Sequence, residues 1–189
     1  MFLNQLRSIQ KSLLFCGFFT FSCIAQPSIQ PLESLKKLGE GQMDFLFWSV
    51  YKAEFFIPSE LDISTQKPSE IITSYPQALK ITYLRDISKQ DLIQATLDQW
   101  QQIGVTPKNL DAWLIQLNVI WPDIKKGDQL VLKVNRSQQS QFYFKAKSAN
   151  RLELIGTIDD VSFGPTFSAI WLSEKTTRPE LRKQLLKIK

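Results

Sequence analysis

The chain has 189 residues with 23 basic and 18 acidic side chains, a formal charge of +5, two cysteines and no histidine. Without histidine there is no Ser-His-Asp or Cys-His machinery and no His-ligated zinc, and two cysteines are too few for a Cys-rich metal site or a disulfide framework. An apolar fraction of 43% against 22% charged residues, with aromatics at 12%, is ordinary globular composition and predicts one compact domain.

Residues 1–25 read as a cleaved export signal, so the protein is expected in the periplasm or secreted. Arg7 and Lys11 form the positive start, and an apolar run extends from Leu13 through Phe15, Phe18, Phe19 and Phe21 to Cys23. Cys23-Ile24-Ala25 puts small residues just before a cut ahead of Gln26. Two alternatives compete. An uncleaved anchor needs about 20 uninterrupted apolar residues, and Gly17, Thr20 and Ser22 dilute this shorter run. Lipid attachment at Cys23 is favoured by Ser22 before it, whereas Thr20 stands where such signals carry leucine. Cleavage removes Arg7, Lys11 and both cysteines, lowering the charge by two and leaving a domain without thiols, as suits an oxidising compartment.

Residues 26–34 are a polar lead-in to a domain over 35–189. Leu35–Leu38 predicts a first strand, Gly39-Glu40-Gly41 a turn, and Gln42–Ile57 a long strand with Phe45, Phe47 and Tyr51 on one face and Leu46, Trp48 and Val50 on the other. Pro58–Pro76 carries three prolines and predicts a loop, with a short strand around Ile71-Ile72. Ala78–Ile87 alternates Leu79, Ile81 and Tyr83 with Lys80 and Thr82, the period of a strand.

Ser88 is a candidate N-cap with Asp91 three residues on; Ile93, Leu97, Trp100 and Ile103 then form a helical stripe closed by Gly104. A second helix starts at Thr106-Pro107, presents Leu110, Trp113, Leu114, Leu117 and Trp121, and stops at Pro122. Strands follow at Gln129–Val134, Gln141–Ala146 and Arg151–Ile158. Asp159 or Asp160 caps a helix carrying Phe163, Phe167, Ile170 and Trp171, and a last helix from about Arg178 presents Leu181, Leu185 and Ile188. The order β-β-α-α-β-β-β-α-α predicts an α+β fold, a curved antiparallel sheet with helices on one face.

Gly39 and Gly41 share a G-x-G, but Asp44 holds the place of the third glycine of a dinucleotide fingerprint, and no G-x-S-x-G elbow is present. No cofactor and no metal is expected. Asp159-Asp160 reads as a helix start before it reads as an acid–base pair. Asn135-Arg136-Ser137 matches a glycosylation sequon. Basic residues alternate with acids except at the C-terminus, where Arg178, Arg182, Lys183, Lys187 and Lys189 face only Glu180. That end is either a solvated helix face complementing its dipole or a peripheral contact with anionic headgroups. Nucleic acid is not an expected partner, and a monomer is the expected state.

Gly39-x-Gly41, Phe47-Trp48-Ser49-Val50-Tyr51-Lys52-Ala53, Ala78-Leu79-Lys80-Ile81-Thr82-Tyr83, Lys126-Gly127-Asp128 and Gly156-Thr157-Ile158-Asp159-Asp160, with Phe163, Phe167 and Ile170-Trp171-Leu172, resemble in collinear order the bacterial chalcone isomerase-like proteins, whose members are typically exported. The resemblance spans about residues 35–187 and implies an open-faced β-sandwich with an apolar cleft between sheet and helices. In the plant enzymes of this fold an arginine, a threonine, a tyrosine and an asparagine serve the cyclisation of a chalcone. By spacing, their places here fall near Gln42-Met43, at Leu46, near Asp91-Leu92 and around Asp98-Gln99. A cleft without the cation lacks the charge that would stabilise a developing enolate. The non-catalytic relatives that bind fatty acids are the nearer analogy, with one cation and one tyrosine for a carboxylate. Tyr83 and Arg85 are the close Tyr/Arg pair, making Arg85 the candidate headgroup anchor and Tyr51, Trp48, Phe167 and Trp171 the candidate wall. The plainer reading makes these aromatics core and pairs Arg85 with Asp86 on the surface. An isomerase using other residues and a structural partner of an envelope protein are the remaining alternatives.

Overall fold

A computed structural model describes residues 30–45 and 48–188. The expected leader, the lipid site at Cys23 and the facing assigned to Leu46 and Phe47 lie outside the described residues. Six strands form one antiparallel sheet in chain order: β1 Leu35–Phe45, β2 Trp48–Pro58, β3 Gln77–Tyr83, β4 Gln129–Val134, β5 Ser140–Lys145 and β6 Glu153–Ile158. Helices α1 Pro68–Ile71, α2 Lys89–Gln102 and α3 Leu110–Ile120 interrupt the strands, and α4 Phe163–Leu172 and α5 Pro179–Leu186 follow them. Register shifts between Lys37 and Gly39, Met43 and Asp44, and Phe142 and Tyr143 bend the strands they occupy, which curves the sheet.

Period-two alternation separates the two faces. Ala53, Phe55 and Ile57 of β2, Leu79, Ile81 and Tyr83 of β3, Leu130, Leu132 and Val134 of β4 and Phe142 of β5 join the core shared with the helices. The opposite face holds only a small cluster, Leu35, Phe56, Ala78 and Val131, with Leu32 packed against it. On that side Glu54 sits between Lys37 and Lys80 and pairs with both. The α+β class and the one-sided helix layer are as the sequence predicts.

Three expectations are corrected. Gly39-Glu40-Gly41 is no turn: Gly39 pairs with Phe55 and Gly41 with Ala53 inside β1, and the chain reverses only after Phe45, which pairs with Trp48. The predicted long strand is therefore the two arms of a hairpin. Residues 71–72 end the short helix α1 instead of forming a strand, because Pro68 at its first turn and the Glu70 carboxylate on the Lys67 N–H favour a helical start. Helix α3 begins at Leu110, after a turn through Pro107.

The glycines of β1 serve contact, not reversal. A side chain at Gly39 would fall on the backbone carbonyl oxygens of Gln184 and Leu185, and one at Gly41 on the side chains of Gln184 and Leu181. Strand β1 and helix α5 thus approach to backbone distance, which closes one end of the helix layer over the sheet.

Candidate functional site

Between the sheet and the helices lies a cavity of about 200 Å³. The alternation that points Leu79 and Ile81 of β3 and Leu130 and Leu132 of β4 at the helices supplies its floor, while Phe142, Phe167 and Ile170 close other sides. The aromatic packing below is dense: Phe163 and Phe167, one helical turn apart on α4, stack at 5.6 Å, and Trp121 meets Phe142 edge-on at 5.7 Å. Such apolar walls lower the local dielectric and strengthen a charge interaction beside them.

Two tyrosines bring phenol hydroxyls to the cavity, beside the Thr96 hydroxyl, which donates to the Leu92 carbonyl at 2.9 Å. Tyr51 of β2 and Tyr83 of β3 are register partners, their rings 6.4 Å apart and edge-on. The Trp171 indole N–H donates to the Tyr51 hydroxyl at 2.8 Å, tying α4 to the end of β2. Burial pushes the Tyr51 phenol up to about 12, against smaller downward pulls from the Trp171 bond and the Arg178 charge. Tyr83 is raised as well, first by burial and then by Tyr51 beside it. Both phenols stay neutral near pH 7 and remain able to donate a proton to an acceptor in the cavity. The Trp121 indole N–H, on the same wall, is buried and has no partner among the described residues.

Among the described residues that line the cavity, Arg178 is the cation and Asp91 the acid. The stretch before α5 is pinned by its own hydroxyls. Thr176 donates to the Ile170 carbonyl at 2.7 Å and accepts the Arg178 backbone N–H at 3.2 Å, while Thr177 donates to the Gln99 side chain at 2.8 Å. These bonds hold Arg178 half-buried at the rim between α2 and α5. Among the described residues its guanidinium makes no hydrogen bond and no ion pair, while Asp91 is engaged by the Ser88 hydroxyl at 2.7 Å. A half-buried guanidinium without an anion among the described residues presents a fork of donors whose geometry suits a carboxylate.

Four of the six residues singled out from the sequence meet here: Tyr51, Tyr83, Phe167 and Trp171 all line the cavity. Trp48 does not; it is 68% exposed near the end of the β1–β2 hairpin. Arg85 is exposed and absent from the lining, and Asp86, its expected surface partner, pairs instead with Lys125 at 3.3 Å and accepts the Lys126 N–H at 2.9 Å. Position 85 lies two residues past the inward-facing Tyr83, beyond the end of β3, where the alternation no longer directs a side chain inward.

Arg178, Met43 and Trp121 are lining residues that sequence reasoning passed over. Arg178 carries a signal in hindsight: it occupies the N-cap of α5, where the helix dipole disfavours a cation. Asp160 is structural. Its carboxylate accepts from Ser162, from Asn109 at 2.7 Å and from the Trp113 indole at 3.0 Å, joining α3 to α4.

A curved antiparallel sheet backed by helices, with an apolar, tyrosine-lined cavity between the layers, places the chain among the open-faced α+β sandwiches. It belongs to the chalcone isomerase-like family, whose model matches residues 33–187. Its structure is similar to that of a fatty-acid binding protein of Arabidopsis thaliana, with a TM-score of 0.59 and 11% sequence identity over 82% of this chain and 87% of that one. At that identity the likeness is one of fold. No curated protein matches the chain in sequence.

Proposed function

We propose that the protein binds, without transforming it, a small amphipathic acid of the fatty-acid class, its tail in the cavity and its carboxylate on Arg178. The observation that carries this reading is the half-buried guanidinium, without an anion among the described residues, at the rim of a mostly apolar cavity. Tyr51, whose phenol already accepts from Trp171, can donate its own proton to the same carboxylate. The fold shared with a fatty-acid binding protein supports it. Binding without turnover is favoured by the tyrosines, which burial moves away from the range where a general base works near neutral pH.

Displacement of a fluorescent fatty acid from the purified protein tests the reading. Saturable displacement by free acids is expected, with weaker displacement by their methyl esters; no binding of either, together with no copurifying acid in native mass spectrometry, would overturn it. The leader pattern in residues 1–25 supports a place in the periplasm or outside the cell. N-terminal sequencing of the mature form tests that: a start at Gln26 is expected, and an intact Met1 in the membrane fraction would favour the anchored alternative.

A further inference from the structure

Phe45 and Trp48 face each other across the last described pair of the β1–β2 hairpin and are 53% and 68% exposed. They lie two residues beyond Met43 and Val50, which line the cavity, so the hairpin carries the cavity wall outward into an aromatic tip about 7 Å further on. No packing requirement keeps these two large rings in water.

The flanks of this tip are basic. Lys52 is exposed on β2, four residues behind Trp48. Leu84 donates its N–H to the Val50 carbonyl at 2.9 Å, which brings exposed Arg85 alongside, and Gly127 donates to the Tyr83 carbonyl at 2.8 Å, which brings Lys125 and Lys126 to the same end. The acids at this end are Asp44, Asp86, exposed Asp123 and buried Asp128, whose carboxylate accepts the Lys125 backbone N–H at 2.8 Å, while Glu40, paired with Lys37, lies within reach of the Lys52 charge. Asp86 is neutralised by Lys125, and Asp44 accepts from the Gln42 side chain, which also donates to Ser49. Among the described residues Lys52, Arg85 and Lys126 have no ion-pair partner.

We infer that the hairpin tip docks on an anionic bilayer surface, Phe45 and Trp48 entering the headgroup region and Lys52, Arg85 and Lys126 meeting lipid phosphates. Tryptophan favours the membrane–water interface, and each nearby cation adds attraction that depends on anionic lipid and is screened by salt. The C-terminal helix is a poorer lipid surface. Its apolar residues Leu181, Leu185 and Leu186 are in the core, Arg182 donates to the Leu172 carbonyl at 2.8 Å, and Lys183 pairs with Glu180 at 2.9 Å. The inference does not depend on what the cavity holds, although it would bring the cavity to the surface where single-chain amphiphiles partition.

Trp48 is a built-in reporter, since Trp100, Trp113 and Trp121 are buried and Trp171 is half-buried. The test uses vesicles of phosphatidylcholine alone and vesicles containing about one-third phosphatidylglycerol, with and without brominated chains. Fluorescence should shift to the blue and be quenched by bromine only on the anionic vesicles, and the quenching should vanish in Trp48→Phe while sedimentation with vesicles persists. Phe45→Ser with Trp48→Ser, and separately Arg85→Glu with Lys126→Glu, should each lower the vesicle-bound fraction about tenfold at unchanged melting temperature. No binding of the wild type to anionic vesicles, binding indifferent to both double variants, or a dimer in solution that the aromatic double variant dissolves would each overturn the inference, the last by showing a second copy on the tip.

Discussion

Trp171 and Tyr51, separated by 120 positions in the chain, share a 2.8 Å hydrogen bond at the wall of the cavity, their rings 6.5 Å apart and edge-on. The bond fixes the Tyr51 ring, leaves its hydroxyl proton free to point into the cavity, and joins the far ends of the fold. Tyr51→Phe therefore strands the indole N–H. The expected cost is about 1–2 kcal/mol in urea unfolding, together with a severalfold loss of affinity for a carboxylate ligand. Trp171→Phe removes the donor and should cost less in affinity than Tyr51→Phe, because the phenol stays. Equal affinity in the wild type and Tyr51→Phe would remove the hydroxyl from ligand contact.

Arg178→Gln separates charge from shape. A charge-assisted bond is worth about 1.5–3 kcal/mol, so affinity for a free acid should fall about tenfold to a hundredfold, while affinity for its methyl ester should hardly change. Because Arg178 has no internal anion among the described residues, its loss leaves no partner orphaned and the melting temperature should stay within about 2 °C. Arg85→Gln, at the exposed position that the sequence favoured, is the control and should leave affinity for the acid intact. The reverse ranking, with Arg85 mattering and Arg178 not, would return the anchor to the end of β3.

How far these features can be read from the sequence differs along the chain for physical reasons. Strands β3, β4 and β5 turn alternate apolar residues into the helix-covered core, so alternation locates them to within a few residues at each end. The β1–β2 reversal escapes because the run around Phe45 and Trp48 contains no Gly, Pro or Asn, while Gly39-Glu40-Gly41 displays turn chemistry and serves helix contact. In the cavity the aromatic wall is legible from strand and helix periodicity. The cation is not, because Arg178 joins Tyr51 only when α5 returns to pack on β1. Proximity in sequence pointed to Arg85 instead.

Cavity size sets the range of tails. At about 200 Å³ it exceeds the roughly 150 Å³ engineered cavity that admits benzene and falls short of the roughly 300 Å³ lower bound for drug-sized ligands. Across a series of saturated acids, affinity should rise with each methylene while the tail is being buried and then level off or fall at medium length. Leu132→Ala widens the floor, so it should move the optimum to longer tails while costing about 2–5 kcal/mol of stability. An optimum unchanged by Leu132→Ala would mean that tails leave the cavity through its mouth and never press on β4.

Gly39→Ala tests the close approach of β1 and α5. An added methyl meets two rigid backbone carbonyls, those of Gln184 and Leu185, so no side chain can swing away to admit it. A loss of at least about 3 kcal/mol in denaturant unfolding is expected, at the upper end for overpacking. Gly104→Ala is the comparison: nothing lies near a methyl there, and only its positive φ of 72° opposes the change, for about 1 kcal/mol. If Gly39→Ala proves the milder of the two, α5 does not sit against β1 in solution.

Acid stability should depend visibly on Asp160. The hydrogen bond from Ser162 is the largest influence lowering its carboxyl, followed by that from Asn109 and the Ser162 backbone, and the folded value is about 2 against an ordinary 3.8. A depressed folded value means that the unfolded chain takes up the proton first as pH falls. The stabilisation is thus complete above about pH 4 and is lost progressively toward about pH 2. Asp160→Asn keeps one oxygen acceptor for Asn109 or Trp113 but cannot titrate. Its stability should lie below wild type near neutral pH, and the gap should narrow as the solution is acidified. Asp44, Asp62 and Asp86 are lowered too, each by local hydrogen bonds, so the variant should flatten the acid limb without abolishing it. Wild-type and variant curves that run parallel from pH 5 to pH 2 would show that Asp160 holds neither the Ser162 bonds nor the bridge to α3 in solution.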